Sequence, residues 1–158
     1  MIKIVTVLFL SFFVQISFGQ IDSNKTFLAS KGKWKLPVKN GYILEKNFHE
    51  HSSSMGMNIF CDSSMEVHAV FEGEVILVNE YDSVFIVVVK YGDYFIAYSN
   101  LENPCVRKGD EIKAGDTIGH TGKNLDEVYG VDINLSKRQE DINPSAWFTY
   151  EVTKTPSQ

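Results

Sequence analysis

The sequence predicts an almost all-β, antiparallel fold of the sandwich or barrel-sandwich hybrid kind. From Trp34 onward, short runs rich in β-branched and aromatic residues alternate with turn signals. No segment carries a helical period of useful length. Val84-Phe-Ile-Val-Val-Val89 is apolar at every position, which is the pattern of a strand covered on both faces. Gly92-Asp93 then supplies a tight turn into Tyr94–Tyr98, making a hairpin.

Taken in order, the chain opens with Lys3, an apolar run from Ile4 to Val14, and small residues at Ser17 and Gly19. That is the layout of a secretory signal peptide over residues 1–19, cut after Gly19 to leave Gln20. The run is well short of the roughly 20 residues needed to span a bilayer, and no cysteine lies near the cut. The expectation is a secreted or periplasmic chain with no membrane span after cleavage. Residues 20–33 are polar and without apolar periodicity, and read as a flexible leader. Residues 34–150 form one β domain on length grounds, and 151–158 a tail. The candidate strands are Gly41–Phe48, Met57–Cys61, Val67–Phe71, Glu74–Asn79, Val84–Tyr91, Tyr94–Tyr98 and Tyr129–Leu135.

Between Arg107 and Gly119, Lys-Gly-Asp-Glu-Ile is followed six residues on by Ala-Gly-Asp-Thr-Ile. Each Gly-Asp supplies a turn, and Ile112 and Ile118 are expected to point inward. Such a staircase suits barrel-sandwich hybrids, among them biotinyl and lipoyl carrier domains. Those carry a lysine within Met-Lys-Met or Asp-Lys-Ala, and neither tripeptide occurs here, so the carrier reading fails at the site.

Charge narrows the partners. Fifteen Lys and Arg stand against 20 Asp and Glu, a net charge of -5, and loss of Lys3 with the leader makes it one more negative. An acidic chain is a poor fit to nucleic acid or an anionic membrane. Two cysteines, Cys61 and Cys105, remain after cleavage. In an oxidising compartment the even count makes a disulfide between them plausible, which would stabilise by roughly 4 kcal/mol in the chain-entropy model. Two buried free thiols are the alternative, and the sequence leaves both open.

Four stretches together resemble the lysostaphin-like, or LytM-type, zinc peptidases that cut peptidoglycan cross-links. They are Tyr98-Ser99-Asn100-Leu101, the Gly-Asp ladder from Val106 to Gly119, Ile118-Gly119-His120-Thr121-Gly122, and Asn143-Pro144 with Trp147. The resemblance runs from about Lys35 to Phe148 and implies the duplicated hybrid motif fold of that family. It also implies three metal ligands with an open position for water and two further histidines. The first ligands come from a His-x-x-x-Asp motif, whose positions here hold Ser54 and Asn58. Counting back from Asn143-Pro144, the His-x-His motif falls on Gly130 and Asp132. The histidine of Tyr-x-His-Leu, which stabilises developing negative charge, is Asn100. All five positions are substituted, and Tyr98 and Tyr129 adjoin them, as groove walls or as packing at the sheet ends.

The resemblance therefore implies a metallopeptidase fold without its zinc ligands and without a cofactor. Its expected role is binding or regulation at the cell envelope, with peptidoglycan or a cell-wall hydrolase as partner. A rival reading rebuilds a zinc site from His51, His120 and Asp132 and cuts cross-links. A third is a structural envelope protein. His49-Glu50-His51 sits in a polar stretch from Asn47 to Ser54 and reads as a solvated loop. His68, opposite in strand phase to Val67 and Ala69, reads as a surface residue or one satisfied by a core hydrogen bond.

Overall fold

A computed structural model describes residues 22–43 and 56–149. The proposed signal peptide, the stretch holding His49, His51 and Ser54, most of the strand expected over Gly41–Phe48, and the 151–158 tail lie outside the described residues. Among the described residues nine strands form one antiparallel sheet: β1 Met57–Cys61, β2 Glu66–His68, β3 Gly73–Tyr81, β4 Val84–Tyr91, β5 Tyr94–Glu102, β6 Glu111–Ile112, β7 Thr117–Lys123, β8 Tyr129–Lys137 and β9 Glu140–Ile142. The all-β reading holds. The sheet order is β1-β8-β7-β5-β4-β3-β6, with β2 beside β7, β9 beside β8, and a further pairing of β8 with β5.

Two hairpins and a repeated turn set the frame. Asp82 and Ser83 both adopt left-handed backbone, with φ of 50° and 68°, the form a two-residue hairpin between right-twisted strands requires. The ladder folds as its repeat promised. The N–H of Asp110 bonds the carbonyl of Arg107 and that of Asp116 bonds the carbonyl of Lys113, both at 3.1 Å. Each aspartate side chain also accepts from the first residue of its turn at 2.8 Å. The glycine before each aspartate has φ near 95°, where a Cβ is disfavoured. Ile112 and Ile118 are buried.

The inner face of the sheet holds the core. Val75, Val87, Val89, Ile96, Tyr98, Leu101, Ile118, Ile133 and their neighbours are fully or almost fully buried. Val84–Val89 departs from expectation on its other face: Val84, Ile86 and Val88 are only half-buried. The sheet is covered on one side here, and the second face stays partly open.

The larger correction concerns the leader. Residues 22–29 form a helix, α1, and Phe27 on it is completely buried. The Phe27 ring stacks on Tyr94 at 4.1 Å and meets Phe71 and Trp34 edge-on at 5.0 and 5.4 Å. Burying such a side chain stabilises by about 1.5–3 kcal/mol, with about 0.5–1.5 kcal/mol more for each aromatic pair. Asn24 pins α1 to the β4–β5 turn, donating to the Asp93 carboxylate at 2.8 Å and accepting from the Asp93 N–H at 2.9 Å. Eight residues are too few for a helical period to register in sequence. A single aromatic residue anchors the helix instead.

Of the two readings left open for the cysteines, the structure has the free thiols, with only one of them buried. Cys61 is buried, Cys105 exposed, and both are free. The Cys61 thiol contacts Ser63 O at 3.1 Å and Thr121 Oγ1 at 3.4 Å, while Cys105 Sγ lies 3.1 Å from Thr117 O. The two thiols belong to different environments. Among the described residues no helix is long and apolar enough to cross a membrane.

Candidate functional site

The sheet forks where β5 enters between β7 and β8. Gly122 of β7 pairs with Gly130 of β8. Beyond that point the strands part: Leu101 and Glu102 of β5 pair with Thr121 and His120, while Ser99 pairs with Asp132. β5 carries an extra residue here relative to β4, since Phe85 faces Leu101 and Val87 faces Tyr98. This bulge places Asn100 at φ 60°, a conformation asparagine tolerates better than most residues. Its amide donates to Gly122 O and to Gly130 O, each at 2.9 Å. Asn100 is thus the staple of the fork. Both of its amide hydrogens are held by strand carbonyls.

The two glycines are required by the same geometry. A Cβ on Gly122 would stand 2.8 Å from Asn100 O, and one on Gly130 would stand 2.7 Å from Ile59 O. No side chain fits at 130 unless backbone moves. The position that would carry an acid–base histidine is closed sterically as well as chemically.

Next to the fork lies a polar row on the outer face. Asn58 of β1 faces Asp132 of β8 across the pairing, and Asn58 Nδ2 donates to Asp132 Oδ1 at 2.6 Å. Ser99 continues the row on the other side of Asp132. Burial pushes the Asp132 carboxyl above the ordinary carboxylate range, and the Asn58 hydrogen bond pulls the other way. Asn134, two residues along β8, has its side chain over Gly56, where a Cβ would collide with the amide oxygen. Ser99 was given no role from the sequence, and the β5–β8 register that sets it opposite Asp132 is what finds it.

Four of the six positions expected at a groove therefore come together: Asn58, Asn100, Gly130 and Asp132. Ser54 lies outside the described residues. Tyr98 is corrected. It faces the core, fully buried, and its hydroxyl accepts the Val70 N–H at 2.9 Å. Burial raises its pKa far above the usual phenol value, with the Val70 bond opposing. It is a packing residue, and the strand alternation that buries Ile96 turns Tyr98 to the same side. Tyr129 packs against the core and lies under the Lys123 ammonium at 5.5 Å.

His120 sits on β7 between Glu66 of β2 and Glu102 of β5. β5 runs between it and Asp132: His120 pairs with Glu102, and Asp132 with Ser99 three residues earlier on β5. Its Nδ1 is buried with no hydrogen-bond partner among the described residues. His68, by contrast, has Thr117 Oγ1 at 3.3 Å and Glu66 at 3.9 Å.

The described residues do not fit a catalytic zinc. At the positions corresponding to its ligands and bases, an amide N–H donor, a carboxylate already bonded to it, a stapling amide and a glycine are what remain. A divalent zinc calls for deprotonated nitrogen, sulfur or oxygen ligands with one position open. Among the described residues, no three His, Cys, Asp or Glu side chains converge closely enough to share an ion.

Known proteins place this frame. The chain is 31% identical over 83 residues to the uncharacterised protein NMB1333 of Neisseria meningitidis serogroup B, and the match spans 51% of this chain but only 14% of that protein. Its fold is similar to a chain of the SpoIIQ–SpoIIIAH pore-forming complex, with a TM-score of 0.61, 19% identity, and 75% and 92% of the two chains covered. It is similar to Helicobacter pylori Csd3 at a TM-score of 0.63 and 17% identity, over 80% of this chain and 36% of that one. Lysostaphin from Staphylococcus simulans aligns at a TM-score of 0.55 and 17% identity, over 69% and 48%. Residues 52–144, more than half of the chain, match the sequence profile of peptidase family M23. The chain belongs to peptidase family M23.

Proposed function

We propose that this is an exported M23-fold protein that binds at the cell envelope without cutting, with peptidoglycan stem peptides or a cell-wall hydrolase as its partner. The reading is carried by the Asn58–Asp132 hydrogen bond at 2.6 Å. Two positions where family members hold metal are instead bonded to each other. The closed position at Gly130 and the stapled Asn100 support the same view. Asp132, Ser99 and Asn134 still line the outer face with donors and acceptors, beside the half-buried apolar surface of Ile86 and Val88. That mixture suits an extended peptide with alternating polar and apolar contacts.

The test is incubation of the purified chain with isolated sacculi and with envelope hydrolases. Binding to one of them without release of soluble muropeptides is the expected result, weakened at least tenfold by Asn134→Lys. Release of peptide fragments, or no association with either, would overturn it. The second reading, a zinc endopeptidase rebuilt from His51, His120 and Asp132, draws support from the unpartnered Nδ1 of His120. It requires fragment release that is lost in His120→Ala. The third, a structural envelope protein, requires that neither sacculi nor hydrolases bind.

A further inference from the structure

Among the described residues, part of the β3 edge has no strand beside it, away from the groove. β6 pairs with β3 only at Gly73 and Glu74, and Gly109 and Asp110 extend that cover as far as Val75. From Leu77 to Tyr81 no described strand lies beside β3. Edge strands of this kind are usually blunted by charged side chains, lysine above all, by proline or by a bulge. The stretch Leu77-Val-Asn-Glu-Tyr81 carries a single charge, the exposed Glu80, and no lysine or proline, and the β3 bulge lies before it, between Val75 and Leu77. It also displays Leu77 and Tyr81, 44% and 73% exposed. Both lie on the outer face, in phase with Asn79 and opposite in phase to the half-buried Val78.

The hairpin tells which backbone groups face out. Asp82 and Ser83 form a two-residue turn, so Tyr81 and Val84 are a hydrogen-bonded pair. Alternation makes Asn79 with Ile86 and Leu77 with Val88 the next such pairs. The N–H and C=O groups of Val78 and Glu80 therefore point away from β4, toward solvent.

We propose that a second copy of this chain pairs with this edge, antiparallel, with the two-fold axis at Asn79. Val78 and Glu80 of each copy then exchange backbone hydrogen bonds with the partner's Glu80 and Val78. On the outer face Leu77 meets the partner's Tyr81, twice, and the two Asn79 amides meet on the axis. Neighbouring registers are poorer. An axis at Glu80 sets like charges directly opposite. An axis at Val78 drives Tyr81 toward the partner's Val75, whose edge Gly109 and Asp110 already occupy. The chosen register joins the two sheets and continues their outer faces into one surface.

The register makes a sharp test. Asn79 faces its own copy in a non-hydrogen-bonded pair, with Cα atoms about 4.5 Å apart, within disulfide reach. Tyr81 would lie about 13 Å from the partner's Tyr81, four residues away along the strand, out of reach. In a Cys105→Ser background, Asn79→Cys is expected to cross-link to dimer at least tenfold faster than Tyr81→Cys. Sedimentation over a concentration series should show reversible doubling of mass, abolished by Glu80→Pro, which removes an outward N–H and no internal hydrogen bond. Equal cross-linking rates for the two cysteine variants would overturn the proposal. So would a dimer that persists in a folded Glu80→Pro chain. The cysteine pair decides the matter even if Glu80→Pro fails to fold.

Discussion

The two faces of the sheet are held together by different physics. On the inner face, α1 and the strands close an aromatic cluster in which Phe27 touches Tyr94, Phe71 and Trp34. Stability there comes mostly from removing apolar surface from water, and a buried polar group such as the Tyr98 hydroxyl is met by a single partner, the Val70 N–H. On the outer face, at the fork, Asn100, Gly122, Gly130, Asn58 and Asp132 meet through hydrogen bonds and close backbone approach. The motif positions read from the sequence belong to this second region, where Asn58 bonds Asp132 and Asn100 bonds the Gly122 and Gly130 carbonyls. Under the proposed non-cutting reading, polar positions left by a metal site have found each other as partners.

Substitutions separate the two regions. The largest expected effect is Phe27→Ala, which empties the aromatic cluster and should destabilise by about 3–5 kcal/mol, measured by denaturant unfolding, with the groove chemistry unaltered. Asn100→Ala should follow. It frees two buried carbonyls and puts a residue with no side-chain amide at φ 60°, costing about 3 kcal/mol together. If the loss is under about 0.5 kcal/mol, Asn100 is not a staple and the fork is held by the strands alone. Gly130→His restores a family histidine in name only. It should cost about 1–3 kcal/mol through collision with Ile59 O, and gain no hydrolytic activity on sacculi.

Tyr98→Phe should cost about 1–3 kcal/mol, because the buried Val70 N–H loses its acceptor. Binding to sacculi or hydrolase should be unchanged, which distinguishes a core tyrosine from a groove wall. The smallest effect has the opposite sign. Asp132 has a raised folded pKa, so between its unfolded value, about 3.9, and the folded one the native state binds more protons. Its contribution is fully favourable below about pH 4 and is lost as pH rises through the folded value. Asp132→Asn should therefore melt higher than the parent at neutral pH, and the two should converge below about pH 4. Equal melting temperatures at neutral pH would mean that the carboxylate is well solvated.

Much of this frame was legible in the sequence. The Gly-Asp repeat became a turn used twice, with Ile112 and Ile118 inward, because glycine at positive φ and an aspartate that caps its own turn are local requirements. Val84–Tyr91 and Met57–Cys61 were found at their observed bounds, since runs of β-formers and the turn residues that flank them delimit them. The fork was only half legible. Spacing located Asn58, Asn100, Gly130 and Asp132, but that Asn100 is tied to Gly122 and Gly130 depends on a bulge and on three strands distant in sequence. Tyr98 was misread because proximity to a motif does not tell which face of a strand a residue takes. α1 was missed because its stability is tertiary: one phenylalanine and one asparagine reach a hairpin some 70 residues away that the helix itself does not encode. The cysteines show the same limit, since pairing depends on distances that spacing does not fix.

The central claim is that the family's metal-binding positions now bond to one another and not to zinc. Zinc content of the purified chain, measured after equilibration with excess zinc and removal of free ion, tests it most directly. The account predicts far less than one zinc per chain, with no change in Asp132→Ala. One zinc per chain, lost when Asp132 is replaced by alanine, would contradict it.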